Sequence, residues 1–332
     1  MGRAGALGEI MRLKAALAGL AVLFAPLGAG AQQAPAQNPA VLAPDPDATL
    51  VEELVVTARD AGPAWWRVSD ADSTVYVLGV PSVMPKGAGW DPSVLERRLD
   101  GANRVILPFN NASVNLLTAP GAVISLMRLR SSTPFEDTLP PDLARRFVAA
   151  REAAGQDADR YKTKNGLAAA LLLVSDYRDA ARLTAADPAK TIGRMAESRG
   201  VRVEAKTYDA APLLAAIVRT PESAQRACVV AALSAIEAGP DSAQAAARAW
   251  AWGQVRGALS GERTYERCIA SAPGARDLDA RMKDDLAQSI VRALREPGHS
   301  IAVVQLRPLL AEGGVLDRLQ RQGYDIRTPA EG

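Results

Sequence analysis

Trp65-Trp66-Arg67-Val68-Ser69-Asp70-Ala71-Asp72-Ser73-Thr74-Val75-Tyr76-Val77-Leu78-Gly79 carries the clearest strand pattern in the chain. β-Branched and aromatic residues cluster on either side of a polar turn, Asp70–Ser73, and this predicts two strands in tight succession. Arg104–Phe109 adds a second short apolar strand signal. The next comparable run lies at the far end of the chain, where Gly298 leads into Ser300–Leu306, a helix over Val315–Arg321 and a last strand near Tyr324–Arg327. Between these ends the pattern is helical. Apolar residues recur at helical spacing over Pro92–Asp100, where Val94, Leu95 and Leu99 share one face. Asp91 suits its cap, Pro92 its first position and Gly101 its end. Further helices are predicted over Ser113–Arg130, Asp142–Ala153, Gly166–Ala181, Ala189–Ser198, Pro221–Ala238, Ser242–Leu259 and Leu278–Leu294. Pro and Gly punctuate them at Pro134, Pro140-Pro141, Pro188, Gly239-Pro240 and Pro273-Gly274. Apolar strands at the two ends have no partners unless the ends meet. The expected class is therefore α+β (mixed α/β), with terminal strands sharing a central sheet and a large helical middle segment.

Outward from this domain, toward the N-terminus, the composition changes. Residues 32–62 are rich in Ala, Pro, Gln and Asp and read as a disordered linker without a packed core. Within it, Val51-Glu52-Glu53-Leu54-Val55-Val56-Thr57-Ala58 resembles the TonB box of outer-membrane transporters. Such a segment binds an envelope protein by adding a strand to its sheet edge. The alternative is an ordinary edge strand of this protein's own fold. Before the linker, Arg12 and Lys14 precede an apolar run from Ala15 to Leu27, which ends in Ala29-Gly30-Ala31. A basic start, a short apolar core and a small-x-small site are the parts of a cleavable signal peptide, assigned to residues 1–31. The run is about 13 residues against the roughly 20 that span a bilayer, and no later stretch is long and apolar enough, so no transmembrane span is expected after cleavage. Met11 offers an alternative start, because residues 1–10 add nothing to a signal. The expected location is periplasmic or secreted.

Cleavage removes Arg3, Arg12 and Lys14 but only Glu9, which brings a chain of net charge +2 close to neutrality. That balance excludes nucleic acid and gives no reason to expect an anionic membrane surface as partner. Hydrophobic content of 48% suits a globular protein, while aromatics at 5% and heavy use of Ala point to helices packed through small side chains. The two cysteines, Cys228 and Cys268, read as a disulfide in an oxidising compartment, with two buried thiols as the alternative. Two Cys and the single His299 cannot supply a four-ligand zinc cage.

Several blocks fall in an order that identifies a relationship. Trp65–Val68 with Ser73–Gly79, then Met84-Pro85-Lys86-Gly87 and Trp90, and finally Ser300–Val304, Glu312-Gly313-Gly314-Val315-Leu316 and Arg321-Gln322-Gly323-Tyr324 together resemble the TraB/GumN family, which includes the Tiki-type proteases. The resemblance covers about residues 63–328, read as a single domain, with the middle third loosely matched. It implies metal-dependent peptide cleavage carried by few positions. A Gly-x-x-His motif follows the first strand of the family; here it stands as Gly79-Val80-Pro81-Ser82. The family's Glu at the end of the next strand corresponds to Pro108, and its His in a loop after the late strand to Pro308. An Arg-Asn pair falls at Arg281-Met282 or Met282-Lys283 and is intact in neither register. Proline has no side-chain donor or acceptor, and serine is a weak metal ligand and a poor nucleophile without a base. The expectation is a degenerate site, with no catalytic, cofactor-binding or metal-ligating residue and no cofactor.

Other candidates are weak. His299 reads as a turn or strand-edge residue after Pro297-Gly298, with a displaced ligand as the alternative. Asp284-Asp285 are adjacent on a helix and so point in different directions. Arg145-Arg146 reads as a surface pair, and Glu312 as a residue favouring the start of the helix after Gly314. There is no Gly-x-Ser-x-Gly elbow, phosphate loop or dinucleotide fingerprint. The leading functional expectation is a non-catalytic periplasmic binding or envelope protein, with a partner reached through Val51–Ala58. The alternative is a metal-dependent hydrolase with a shifted site.

Overall fold

A computed structural model describes residues 41–108, 111–113, 133–184 and 187–331. The segment expected as a signal peptide, residues 1–31, lies outside the described residues, as do residues 32–40. The paired strands at the start are β1 (Trp65–Ser69) and β2 (Ser73–Val80), joined at Asp70–Asp72. Asp70 fixes this turn: its Oδ1 accepts from the Ser73 hydroxyl at 2.7 Å and the Ser73 N–H at 3.0 Å. After a short strand β3 (Met84–Pro85) comes helix α1 (Ser93–Leu99). Asp91 Oδ1 accepts from the Ser93 N–H at 2.9 Å, and Gly101 closes the helix with φ +74°. Strand β4 (Arg104–Ile106) is shorter than the apolar run that announced it, and Phe109 lies outside the described residues. Ser113 ends β5 (Asn111–Ser113), and the rest of the helix expected to Arg130 also lies outside them.

The helical segment then runs through α2 (Pro141–Ala153), α3 (Gly166–Ala180), strand β6 (Leu183–Thr184) and α4 (Asp187–Ser198). Strands β7 (Arg202–Glu204) and β8 (Thr207–Asp209) precede α5 (Ala211–Arg219), α6 (Glu222–Glu237), α7 (Asp241–Ala251), α8 (Val255–Ala258), α9 (Thr264–Ala270) and α10 (Ala275–Leu294). The chain closes with β9 (Gly298–Gln305), α11 (Leu306–Leu310), α12 (Val315–Arg321) and β10 (Asp325–Arg327).

The sheet order is β10-β1-β2-β9-β4-β7, so the two ends of the chain are interleaved and share a sheet, as the partnerless strands required. β1 runs antiparallel to β2 and β10; β2, β9, β4 and β7 are parallel. β9 is central, and Ser300–Val304 is buried throughout, the continuous apolar run that a parallel strand covered on both faces requires. α10 packs on it with Ala287, Ile290 and Leu294 buried. A second apolar cluster is built mainly from helices. α3 meets α6 with Ala169, Ala170 and Ala232 all buried in this cluster, which is how the alanine-rich composition is used. Phe147 stands between Phe135 and Tyr161, edge-on to both at 5.1 and 5.4 Å.

One sequence expectation is corrected. Of the linker predicted over 32–62, the part from Leu42 to Ala58 is packed against the domain. Asp47 is 2% exposed, and Leu54 and Val55 belong to the apolar core around the sheet. The polar, proline-rich composition hid this, because what anchors the segment is ion pairs and backbone bonds to residues more than 200 positions away. Among the described residues no helix is long and apolar enough to cross a membrane.

Candidate functional site

The parallel register brings the family positions to one edge of the sheet. Gly79 of β2 lies opposite Val304 of β9, and Val80 opposite Gln305, so the residues that follow both strands emerge side by side. Ile106 of β4 pairs with Ala302, which places Leu107 and Pro108 at the same carboxyl edge. In open sheets with parallel strands, ligands bind in the crevice outside this edge.

Pro108 and Pro308 line one cavity there, of about 470 Å³. Its floor is apolar, from Ile106, Val304, Leu286 and Val315. Its charged wall is largely self-neutralised. Arg202 pairs with Glu204 at 3.0 Å, and Lys206 with Asp285 at 2.6 Å. The Lys206 hydrogen bond is the main reason why the Asp285 carboxyl lies below its ordinary range; Tyr208 adds a second hydrogen bond at 2.9 Å. Burial first, and then that bond to Asp285, push the Tyr208 hydroxyl upward. Arg292 donates to the Ser289 hydroxyl at 2.7 Å.

Ser82 is not on this cavity. It is half-buried on a smaller one of about 50 Å³, together with Arg178, Arg263, Leu306 and Arg307. The short helix α11, which begins directly after β9, carries residues of both cavities: Leu306 and Arg307 face the smaller one and Pro308 the larger. Gly79 serves packing. Its carbonyl accepts from the Trp250 indole at 2.6 Å, and a Cβ built there would overlap the Leu306 side chain and lie 2.9 Å from the Trp66 ring.

On α10, Met282 and Lys283 line the larger cavity, while Arg281 is exposed. Lys283 Nζ stands 2.5 Å from both Asp47 Oδ1 and Asp279 Oδ2. Burial acts to lower Lys283, but the two carboxylates, Asp47 foremost, raise it above its ordinary value. Asp279 is pushed up by burial despite that pairing. His299 sits near the start of β9, six positions before Gln305 and hence roughly 20 Å from the site edge. Its Nε2 is 2.9 Å from the Arg98 carbonyl, at the amino-terminal end of the strand and away from the family positions. Asp284 pairs with Arg318 at 3.6 Å while Asp285 faces Lys206, so the adjacent carboxylates diverge. Arg146 forks onto Glu237 at the surface, at 2.8 and 2.9 Å. Glu312 is exposed, and it is Asp317 of α12 that accepts the Gly313 N–H ahead of that helix. Cys228 of α6 and Cys268 of α9 lie at disulfide distance, with Cα atoms 5.4 Å apart, and both are buried.

Sequence reasoning missed Asp45, Asp47, Arg263 and Arg307. Asp45-Pro46-Asp47 is a visible acidic pair, but nothing local to it announces Arg263.

The residues at the family positions do not fit a divalent metal. Ser82, Pro108 and Pro308 supply no imidazole or carboxylate, and the larger cavity's carboxylates are engaged by cations. Among the described residues no three His, Cys, Asp or Glu side chains are grouped so that they could hold an ion. The model of the TraB/PrgY/gumN family matches residues 64–328. No curated protein and no solved structure matches the chain.

Proposed function

This chain belongs to the TraB/PrgY/gumN family, and on that premise we propose that it is a secreted, periplasmic member that binds a ligand without catalysing its turnover. The observation that carries the reading is the convergence of Pro108 and Pro308 on a cavity at the carboxyl edge of β9, β4 and β7. The crevice has an apolar floor, while Pro108 and Pro308 offer no side-chain donor or acceptor and Ser82 is only a weak ligand that faces another cavity. A half-apolar recess with Tyr208, Ser289 and Gln305 on its wall suits a small ligand carrying both apolar and hydrogen-bonding groups. An envelope partner reached through Val51–Ala58 belongs to this reading only in a state where that segment has left its bed on the domain.

Metal content measured by mass spectrometry on protein purified from periplasm without a histidine tag tests the reading. The expected result is well under one equivalent of any transition metal, with no peptide hydrolysis. One equivalent together with metal-dependent cleavage would replace this reading with a hydrolase whose site has moved.

A further inference from the structure

Residues 41–58 lie outside the part of the chain that the family model matches, yet they are held as a ligand is held. At one end Arg263 forks onto Asp45, with Nε and Nη2 each 2.8 Å from its two oxygens, and the same Nη2 reaches Asp47 Oδ2 at 2.8 Å. Lys283 takes the other oxygen of Asp47 at 2.5 Å. The side chains of Asp47, Arg263 and Lys283 are 2%, 8% and 8% exposed, so the pairing is desolvated. Arg267 donates to the Ala43 carbonyl at 3.1 Å, and Arg307 to the Asp47 carbonyl at 3.3 Å. In the middle the backbone makes one isolated antiparallel bridge before the 3-10 turn Glu52–Leu54. Leu50 bridges Ala311 in antiparallel fashion, the Val51 N–H donates to the Leu310 carbonyl at 2.9 Å, and the Glu312 N–H donates to the Thr49 carbonyl at 3.0 Å. Next, Leu54 and Val55 enter the core beside Trp66, whose indole donates to the Leu54 carbonyl. At the far end Thr57 bridges Gln254, and Gly253 leaves no room for a side chain, since a Cβ there would lie 2.6 Å from the Ala58 methyl.

Main-chain hydrogen bonds for affinity, charged and apolar pockets for selectivity, and a bed shaped to the chain are the components of a peptide site. We infer that the groove from Arg263 and Lys283 to Gly253 is a peptide-recognition site for a segment that turns at two carboxylates in i, i+2 positions and passes through one 3-10 helical turn, Glu52–Leu54, into an apolar pair, and that Asp45–Ala58 is its resident, exchangeable occupant. The connection back to the domain, Arg59-Asp60-Ala61, is exposed. The strap is therefore tied to the fold by a short surface link and by the groove itself. The inference rests on the groove alone and stands whether or not the cavity holds a ligand. Exchange of the occupant also changes what Lys283 presents to that cavity, because Lys283 lines it.

The test inserts a protease site at Asp60–Ala61 in the full chain, cuts it, and follows the strap by native mass spectrometry. The N-terminal piece is expected to stay bound after cutting. An excess of synthetic peptide covering residues 41–58 then displaces it, and a fluorescein-labelled copy binds saturably by anisotropy. The same peptide carrying Asp45→Asn and Asp47→Asn is expected to bind at least about tenfold more weakly, as the loss of even one charge-assisted hydrogen bond demands. Both substitutions sit on the added peptide, so the host's folding is not at stake. A cut strap that never exchanges, a domain that precipitates once its strap is displaced, or equal binding of the two peptides overturns the inference and makes the strap an integral part of the core.

Discussion

At Gly79 a hydrogen replaces a side chain because three buried groups converge on it: the Leu306 side chain, the Trp66 ring and the Trp250 indole that bonds its carbonyl. Leu306 could turn aside only within a filled core, and Trp66, fully buried, cannot follow. Overpacking of this kind costs about 1–3 kcal/mol. Gly79→Ala is thus expected to lower the unfolding free energy by that amount, read as a lower urea midpoint at an unchanged slope; an unaltered midpoint would mean that the core yields freely. The glycine could be singled out from sequence because it belongs to a motif, but its reason could not, since Trp250 is 171 positions away. The same holds for the site. Ser82, Pro108 and Pro308 were placed by order along the chain, and only the register of β2, β9 and β4 shows that two of them share a cavity while the third faces another.

Elements were readable in proportion to their length and to how regularly they bury one face. α2, α3, α4, α6 and α10 fall within a few residues of their apolar patterns. Strands β7 and β8, three residues each with no fully buried position, have no period to detect. The single helix expected over Ser242–Leu259 is broken into α7 and α8 at Gly253, whose φ of +67° no continuous helix tolerates. The break is what receives Ala58, so tertiary contact decided it. The helix α9 was also missed, yet it carries Cys268 to Cys228 of α6. A bridge spanning 40 residues restricts the unfolded chain by about 4 kcal/mol on the entropy account. Reduction is expected to lower the melting temperature by several degrees, with α9 the first element to lose amide protection from exchange. An identical melting curve with and without reductant would show that the two thiols are not joined.

At the scale of the described molecule, a buried charge cluster joins the N-terminal strap to the start of α9, to α10 and to α11. Asp45 and Asp47, Arg263, Lys283 with Asp279, and Arg307 come from four separate stretches of sequence. Desolvating such groups costs more than a single pair returns, so removing one partner leaves an exposed deficit. Lys283→Met takes one of two paired cations from Asp47 and the ion-pair partner from Asp279. It is expected to destabilise the protein by about 3 kcal/mol and to open residues 41–58 to proteolysis before the sheet unfolds. The pH dependence has a definite sign. Burial acts to raise Asp45, but the hydrogen bonds from Arg263 outweigh it, and the carboxyl lies below its ordinary value when folded. Its contribution is therefore complete above about pH 4 and is lost as pH falls through that depressed value. Asp279 and Glu266, both pushed up by burial, act the other way: protonating them in acid favours the folded state and softens the loss. Lys283, raised by its carboxylates, contributes below about pH 10.4, and that share disappears as pH rises through its higher folded value. The strap should therefore hold across the neutral range and release at both extremes. Amide exchange at residues 47–58, followed from pH 3 to pH 11, checks this: protection that stays level at both ends would mean that the apolar contacts of Leu54 and Val55, and not the charge cluster, fasten the strap.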